Sequence, residues 1–390
     1  MRLLMLSGDR QSATGVKGPF HHLQREFSRW FERIDVLSPR PDGPVTTRTL
    51  MDNVHLHPAD CGRSGMRAYL VRRGRELIAE HGHALVVSHD YGWFYNGLAA
   101  ARISRATGVP YLSEIHHVPG VPVPADLREV FDRFVAKRYV RFAASRAAAF
   151  RVVNHEEMPR LLRSWGVPAE KIVVLPSLYI DLEKYRPAPR AKERDVLFVG
   201  RLVANKGLPN LVDALHEVRR SRPGLRATFL GKGPLRAKIE KRVERRGLGD
   251  AVEFREWVES EDDLVDLYRS SRLLVCASTC EGGPRVTVEA MACGTPAVST
   301  PVGVMPEVLG AGRGGTLCGF DSGSIAEAVA SLLSDDRRRE AMGEEAREIA
   351  LRFEYASVIE GYARGLHALV GESAVRRPAA NQATNAEVRP

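Results

Sequence analysis

Two cations stand in a loop that follows a predicted strand in the second half of the chain. Residues 200–207 read Gly-Arg-Leu-Val-Ala-Asn-Lys-Gly and place Arg201 and Lys206 just before a predicted helix. An arginine holds two phosphate oxygens at once, a lysine adds a point charge, and the positive end of a helix dipole attracts the same anion. The loop predicts a site for a diphosphate. The alternative is a surface loop whose cations are there by chance.

A second loop with ligand-binding character follows the predicted strand at 227–230. It reads Gly231-Lys232-Gly233-Pro234 and precedes another predicted helix. Glycines let the backbone approach a ligand closely, although the same residues also suit an ordinary turn. The loop has neither the Walker A spacing G-x-x-x-x-G-K-[ST] nor the dinucleotide pattern G-x-G-x-x-G, so ATPase and dehydrogenase functions lack their motifs.

The third loop carries two carboxylates eight residues apart. Glu281 lies in the loop, and Glu289 lies about one turn inside the following predicted helix. Carboxylates accept hydrogen bonds from vicinal hydroxyls, so one glutamate can hold a sugar ring and the other a ribose diol. Between them, Gly282 and Gly283 leave backbone N–H groups available to an anion. Either glutamate alone would also suit the N-terminal end of a helix dipole.

These loops need a framework in which the carboxyl ends of parallel strands meet, because open parallel sheets bind ligands at that edge. Short runs rich in Val, Ile and Leu alternate with helical patterns in both halves, which is typical of parallel strands joined by helices. The predicted strands are 2–6, 34–37, 84–88, 109–115, 150–153, 172–175, 195–199, 227–230, 252–254, 272–277 and 297–299. Predicted helices include 19–31, 97–107 and 208–220, the last with a core-facing stripe of Leu208, Leu211, Val212, Leu215 and Val218.

The length of 390 residues predicts two domains. Pro187 and Pro189 lie among charged residues in 185–194, a composition that favours a linker. We therefore predict a first domain over 1–187 and a second over 191–353. From 371 to 390 the chain is polar and small with no apolar period, which predicts a disordered tail.

Composition narrows the class of protein. With 44% hydrophobic and 27% charged residues, the chain can bury sizeable cores, and its apolar runs fall far short of the roughly 20 residues of a spanning helix. The apolar run at the N-terminus is too short for a signal peptide, so we expect a cytoplasmic protein. The five cysteines are odd in number and never spaced as C-x-x-C, which predicts neither a disulfide framework nor a zinc site.

The net charge of +9 is confined to the first half. Residues 1–190 hold 28 Lys and Arg against 19 Asp and Glu, whereas the remainder is balanced. This excess favours an anionic partner such as a membrane surface or an anionic acceptor, and no nucleic-acid-binding module is recognisable.

A predicted helix at 126–146 concentrates these cations beside apolar residues. Its apolar face is Leu127, Val130, Phe131 and Phe134, and its basic residues are Arg133, Lys137, Arg138 and Arg141. The pattern predicts peripheral contact with an anionic membrane. The alternative is that the apolar face packs on the first domain's sheet and the cations are merely solvated.

Together the three loops resemble the nucleotide-sugar-dependent glycosyltransferases of family 4 (group 1), whose GT-B fold consists of two facing Rossmann-like domains. The resemblance is strongest over 195–335. It includes G-R-L-x-x-x-K-G at 200–207, the E-x7-E pair Glu281 and Glu289, and E-A-M-A-C-G-T-P at 289–296. Residues 303–307 are similar to the family's G-G-x-x-E loop, although Val302 replaces its first glycine.

The resemblance implies a role for each site residue. Arg201 and Lys206 would bind the donor diphosphate, Glu281 the donor sugar and Glu289 the ribose. In the first domain Lys17-Gly18 replaces the family's usual glycine pair, and His116, preferred over His117, would face the reacting sugar; a structural histidine is the alternative. The predicted catalytic residues are His116, Glu281, Arg201 and Lys206, and the predicted nucleotide-sugar ligands are Gly18, Arg201, Lys206, Gly231, Gly233, Glu281, Gly282, Gly283 and Glu289.

The resemblance also implies the reaction. A retaining glycosyltransferase would move a sugar from a UDP-, GDP- or other nucleoside diphosphate sugar to a glycan, lipid-linked or other acceptor, for example a cell-envelope polysaccharide. No metal and no other cofactor is expected, because the cations and helix N-termini can stabilise the leaving diphosphate. The helix at 354–370 would cross back onto the first domain. We expect the enzyme in the cytoplasm, with peripheral contact on the inner face of the membrane.

Two other functions fit parts of the pattern. A nucleotide-sugar 2-epimerase shares the two-domain architecture but needs acid-base groups around a sugar that it does not transfer. A noncatalytic sugar-nucleotide-binding protein would keep the pocket without turnover. Transfer or hydrolysis, isomerisation and binding alone distinguish the three.

Overall fold

The computed structural model describes residues 1–371 and forms two α/β domains, each built on a mainly parallel sheet. The tail predicted to be disordered, 371–390, lies outside the described residues apart from Gly371. The two sheets together confirm the predicted fold class of two Rossmann-like domains.

The first sheet has eight strands in the order β3-β4-β2-β1-β5-β6-β7-β8, parallel except for β3 against β4. Its strands are β1 (Arg2–Leu6), β2 (Arg33–Ser38), β3 (Thr49–Met51), β4 (Val54–Pro58), β5 (Leu85–His89), β6 (Tyr111–Glu114), β7 (Ala149–Val152) and β8 (Ile172–Val174). The helices of this part are α1 (Pro19–Phe27), α2 (Met66–His81), α3 (Tyr95–Thr107), α4 (Leu127–Ala143) and α5 (Glu157–Ser164).

The second sheet has six parallel strands in the order β11-β10-β9-β12-β13-β14. Its strands are β9 (Arg194–Val199), β10 (Ala227–Leu230), β11 (Val252–Arg255), β12 (Ser271–Cys276), β13 (Ala297–Ser299) and β14 (Gly315–Leu317). The remaining helices are α6 (Leu208–Ser221), α7 (Arg236–Arg245), α8 (Glu261–Arg269), α9 (Arg285–Ala292), α10 (Met305–Leu309), α11 (Ser322–Leu333), α12 (Asp336–Ala350) and α13 (Tyr355–Leu369).

Strand β1 shows why the strands have uninterrupted apolar sequences. Leu4 and Leu6 pack in one buried cluster, whereas Leu3 and Met5 pack in another. Successive side chains of a strand point to opposite faces, and helices cover both faces of a parallel sheet, so every position needs an apolar residue. For the same reason, the strands can be predicted from the sequence.

Most predicted elements are confirmed within two residues at each end, and β1, β10 and β13 match their predicted ranges. The apolar stripe of α6 is buried as predicted. Three strands were not predicted. β3 and β14 have only three residues each, and β4 reads Val-His-Leu-His-Pro, in which histidines interrupt the apolar pattern.

Helix α4 leaves the apolar face identified in the sequence open. Leu127 is 87% exposed, and Val130, Phe131 and Phe134 are about half exposed. The alternative that this face packs on the sheet is wrong, because α4 packs through its other side. The buried residues of α4 are Ala136, Tyr139, Val140 and Ala143.

Helix α13 returns to the first domain, as predicted. Ile359, Tyr362 and Leu366 pack in the same buried cluster as Leu3 of β1. Within residues 1–371, no helix combines the length and the apolar character that a bilayer span requires. All five cysteines fall in this part of the chain and are free thiols.

Candidate active site

The candidate site lies where the carboxyl edges of the two sheets meet. His116 follows β6 of the first sheet, and the loop at 277–284 follows β12 of the second. The backbones approach so closely that a Cβ on Gly282 would lie 2.7 Å from the carbonyl oxygen of His116. The contact continues where Val123 N–H donates to the carbonyl of Thr279 at 3.3 Å. The fold thus brings the two predicted halves of the site together.

Lys206 and Glu281 form an ion pair at the second domain's side of the cleft. Their side chains are only 15% and 17% exposed, and Ser278 Oγ donates to Glu281 Oε1 at 3.1 Å. Asn205 ties the two loops together, because its side-chain amide donates to the carbonyl of Cys280 at 3.0 Å. Arg201 stays exposed. The loop at 200–207 therefore holds one cation fixed by a carboxylate and one free to meet an anion.

The glycines of the second loop pack against the first. A Cβ on Gly231, whose φ is 141°, would lie 2.0 Å from the carbonyl oxygen of Gly200. A Cβ on Gly233 would lie 2.5 Å from the carbonyl oxygen of Leu202. This loop-to-loop contact accounts for both glycines without a ligand, and it holds the loop at 200–207 in place.

Glu289 is buried in α9, and both of its carboxylate oxygens are engaged. Arg285 Nε donates to Oε1 and the Tyr268 hydroxyl donates to Oε2, each at 2.8 Å. The Arg285 guanidinium also lies 5.6 Å from the ring centroid of Tyr179. The sequence analysis missed Arg285 and Tyr268, although the i,i+4 spacing of Arg285 and Glu289 is a recognisable signal for a helical ion pair.

His116 and His117 face different neighbours. The His116 side chain is 44% exposed, with Nε2 3.4 Å from Arg151 Nη1. Partial burial of the ring and the Arg151 guanidinium beside it lower the pKa of His116. Partial desolvation also lowers the pKa of His117, although the residue is exposed, and the charges acting on it are those of Glu281, Lys206 and Arg201. His117 is therefore the histidine whose pKa is coupled to the charges of the donor loops.

The first domain adds a cavity and the remaining predicted residue. A cavity of about 210 Å³ lies beside His116 and is lined by residues that include His89, Phe20 of α1 and Ile359 of α13. Gly18 is the N-cap of α1 on this side of the cleft. Within residues 1–371, no three His, Cys, Asp or Glu side chains gather as the ligands of a metal would.

Two facing Rossmann-like domains, with a cationic loop and a carboxylate pair at their shared edge, are the features expected of a GT-B glycosyltransferase. A family model described as glycosyl transferases group 1 matches residues 180–349, and one described as a glycosyl transferase 4-like domain matches residues 14–177. D-inositol 3-phosphate glycosyltransferase 2 of Catenulispora acidiphila is 31% identical over 323 residues, which are 75% of this chain and 74% of that protein. The chain belongs to the family 4 (group 1) glycosyltransferases.

Solved structures agree with this fold. Sucrose-phosphate synthase from Thermosynechococcus elongatus superimposes with a TM-score of 0.79 at 19% identity, covering 95% of this chain and all of that one. HepE from Anabaena, crystallised with UDP and glucose, gives a TM-score of 0.73 at 21% identity, covering 94% of this chain and all of that one. At these identities the likeness concerns the fold.

Proposed function

We propose that this enzyme transfers a sugar from a nucleoside diphosphate sugar to an acceptor held by the first domain, with retention of configuration. The observation that carries the proposal is the Lys206–Glu281 pair beside exposed Arg201, at the N-terminal end of α6. A diphosphate placed there meets two cations and a helix dipole. Glu281, on the same loop as the backbone N–H groups of Gly282 and Gly283, would hold the donor sugar.

The reaction needs charge stabilisation more than a protein nucleophile. The acceptor hydroxyl oxygen bonds to the anomeric carbon as the bond between that carbon and the β-phosphate oxygen breaks. The departing oxygen takes the electron pair and then the acceptor's proton, which leaves a glycoside and a nucleoside diphosphate. In this reaction Arg201 and Lys206 would contact the oxygens on which negative charge develops, where preorganised cations lower the barrier most. We propose on this basis that turnover is independent of a metal ion.

Glu289 is proposed as the ribose ligand. Arg285 and Tyr268 hold its carboxylate in one orientation through Oε1 and Oε2. A carboxylate oxygen has more than one lone pair, so each oxygen can accept a further hydrogen bond from a ribose hydroxyl. Arg285→Leu tests this geometry, because loss of the guanidinium frees the carboxylate to turn and should raise the KM for the donor.

The acceptor side is proposed to work at an anionic membrane. Trp93, Leu127, Val130, Phe131 and Phe134 form an exposed apolar surface, which we call the α4 patch. These five are half of the ten large apolar side chains that are exposed within residues 1–371, so the exposure is concentrated. The Trp93 and Phe131 rings pack edge to face with centroids 6.1 Å apart.

Charge and position support a lipid membrane as the partner of the α4 patch. Arg133, Arg138 and Arg141 are exposed on the same helix, and the Arg138 guanidinium lies 5.9 Å from the Phe134 ring centroid. Apolar side chains flanked by cations suit the boundary between headgroups and acyl chains. The segment before α4 touches the second domain through Val123, so the patch borders the cleft. A lipid-linked acceptor would meet the donor there.

Vesicle cosedimentation tests the membrane proposal. We expect binding to phosphatidylglycerol vesicles at low salt and none to phosphatidylcholine vesicles. Replacement of Arg133, Lys137, Arg138 and Arg141 by Gln should abolish binding, since each basic residue contributes about 1 kcal/mol near an anionic surface. The matched control replaces four cations of the second domain, namely Arg220, Lys238, Lys241 and Arg245. Equal binding by both variants would refute recruitment through α4 and favour a soluble acceptor, such as the inositol phosphate in the name of the Catenulispora relative.

A further inference from the structure

A buried ion pair in the first domain ends at His116, and neither partner belongs to the predicted site. Arg151 of β7 and Glu114 of β6 are 2% and 1% exposed, and Arg151 Nη1 lies 3.0 Å from Glu114 Oε1. Taking two charges out of water is unfavourable unless further hydrogen bonds satisfy them, so such a pair is weak evidence for a stabilising role. The contacts that the two side chains make therefore indicate whether the pair has a role other than stabilising the fold.

The hydrogen bonds of Arg151 fix the guanidinium and leave one N–H facing the imidazole. Nε donates to the carbonyl of Leu175 at 2.9 Å, and Nη2 donates to the carbonyl of Pro176 at 2.7 Å. Nη1, which bonds to Glu114, also lies 3.4 Å from His116 Nε2. A guanidinium has donors only, so in this contact Nε2 is the acceptor and carries no proton. The carboxylate oxygen that could accept from Nε2, Glu114 Oε2, lies 3.9 Å away, beyond hydrogen-bond distance. The imidazole is then neutral, with its proton on Nδ1.

The charges around His116 favour the same state. Partial burial and the Arg151 guanidinium lower its pKa, the Glu114 carboxylate opposes them, and His89 and His117 are the other titratable groups that act on it. His89 is directed at Glu114, with Nε2 3.1 Å from Oε2. A histidine held neutral in this way donates one hydrogen bond through Nδ1–H and has no free nitrogen to accept a proton.

Helix α13, near the C-terminal end of the described residues, adds Tyr362 to the cluster of Arg151, Glu114 and His116. The Tyr362 hydroxyl donates to Glu114 Oε1, 248 residues away in sequence. The Tyr362 ring lies 3.6 Å from the centre of the Arg151 guanidinium, a cation–π contact in a buried setting. The helix that crosses back to the first domain therefore reaches the candidate catalytic histidine through two side chains.

We propose that Arg151, Glu114 and Tyr362 are positioning residues that hold His116 as a neutral hydrogen-bond donor toward the reacting sugar. The inference rests on the proposed function for the direction in which His116 acts. It excludes His116 as the general base, in agreement with loss of the acceptor's proton to the leaving phosphate. It also gives α13 a role in the active site besides its packing on α1.

Nitrogen NMR of ¹⁵N-histidine-labelled protein reads the tautomer directly. The chain has 12 histidines, so the His116 signals are assigned as those missing from His116→Gln. We expect the Nδ1–H form between pH 6 and 8 in the wild type. In Arg151→Met, Nε2 is released and we expect the Nε2–H form that free imidazole prefers. A wild-type His116 that carries its proton on Nε2, or titrates with a pKa near 6.5, would overturn the proposal.

Two further variants keep the proposal testable if Arg151→Met does not fold. Arg151→Met combined with Glu114→Gln removes both charges, leaves no buried ion unpaired, and should give the same change of tautomer. An unchanged Nδ1–H form in a folded double variant would show that Arg151 does not set the tautomer. These measurements require no turnover, so their failure is distinguishable from failure of the proposed transferase function.

A kinetic comparison separates positioning from packing. Tyr362→Phe keeps the ring and removes the hydroxyl, so we expect kcat for donor hydrolysis to fall about three- to tenfold with an unchanged KM, the effect of one neutral hydrogen bond. The matched control is Tyr355→Phe, also on α13, whose hydroxyl donates to the carbonyl of His22 instead. Equal losses in the two variants would show that α13 acts only through packing.

Discussion

Replacement of both Arg201 and Lys206 by alanine should remove donor turnover while the protein stays folded. The two cations border the same edge of the cleft, and only Lys206 has a carboxylate partner, Glu281. As the bond between sugar and phosphate breaks, negative charge grows on the diphosphate, and the variant presents no cation from this loop to meet it.

The structure indicates how much turnover and how much folding stability the double variant should lose. Removal of one preorganised donor lowers kcat roughly 100- to 1,000-fold, and groups that act on one ligand do not add, so we expect a loss of about 1,000-fold. The Lys206–Glu281 pair is 15% and 17% exposed, between a surface pair and a fully buried one. Its loss should lower the free energy of unfolding by about 1–3 kcal/mol.

The assay follows release of the nucleoside diphosphate, with chemical denaturation of each variant beside it. Lys238→Ala, an exposed cation of α7, is the matched control and should behave as the wild type. Lys206→Arg retains the charge and should keep most of the turnover. A folded double variant with wild-type turnover would place the diphosphate elsewhere and refute the reasoning.

Three other perturbations have defined outcomes. EDTA should leave turnover unchanged, since cations replace a metal; full loss of activity, restored by Mg²⁺ or Mn²⁺, would contradict this. Vesicle binding through the α4 patch should weaken between 50 and about 300 mM NaCl because salt screens exposed charges. Burial raises the pKa of Glu157 to about 7, so between pH 4.5 and about 7 the folded state keeps a proton that the unfolded chain has released, and stability falls as the pH rises across that interval. Glu157→Gln should change the free energy of unfolding by less than about 1 kcal/mol at pH 5 and raise it by about 3 kcal/mol at pH 8; equal effects at both pH values would refute the assignment.

The framework and the donor loops are predictable because their signals are local. Strands buried on both faces need apolar residues throughout, as in β1, and the pair Glu281 and Glu289 falls within one loop and helix. Short strands such as β3 and β14 contain too few residues for a pattern to appear. Local sequence patterns therefore suffice to predict the candidate site residues of the second domain.

The first domain's contribution depends on contacts that no local pattern contains. Glu114 and Tyr362 meet across 248 residues, and only the fold shows that Arg151 lies between them and His116. The apolar face of α4 was visible in the sequence, but a face that packs on a sheet and a face that meets a membrane share the same periodicity. Exposure, which distinguishes the two, is a property of the folded domain.

The most direct test of the transferase function incubates the purified chain with UDP-, GDP- and ADP-sugars and follows the nucleotide and the sugar by NMR. We predict release of the nucleoside diphosphate from one class of donor, by slow hydrolysis or by transfer, with the anomeric configuration of the donor kept in the product. Interconversion of sugar epimers without net transfer, or saturable binding with no turnover of any donor, would contradict the assignment.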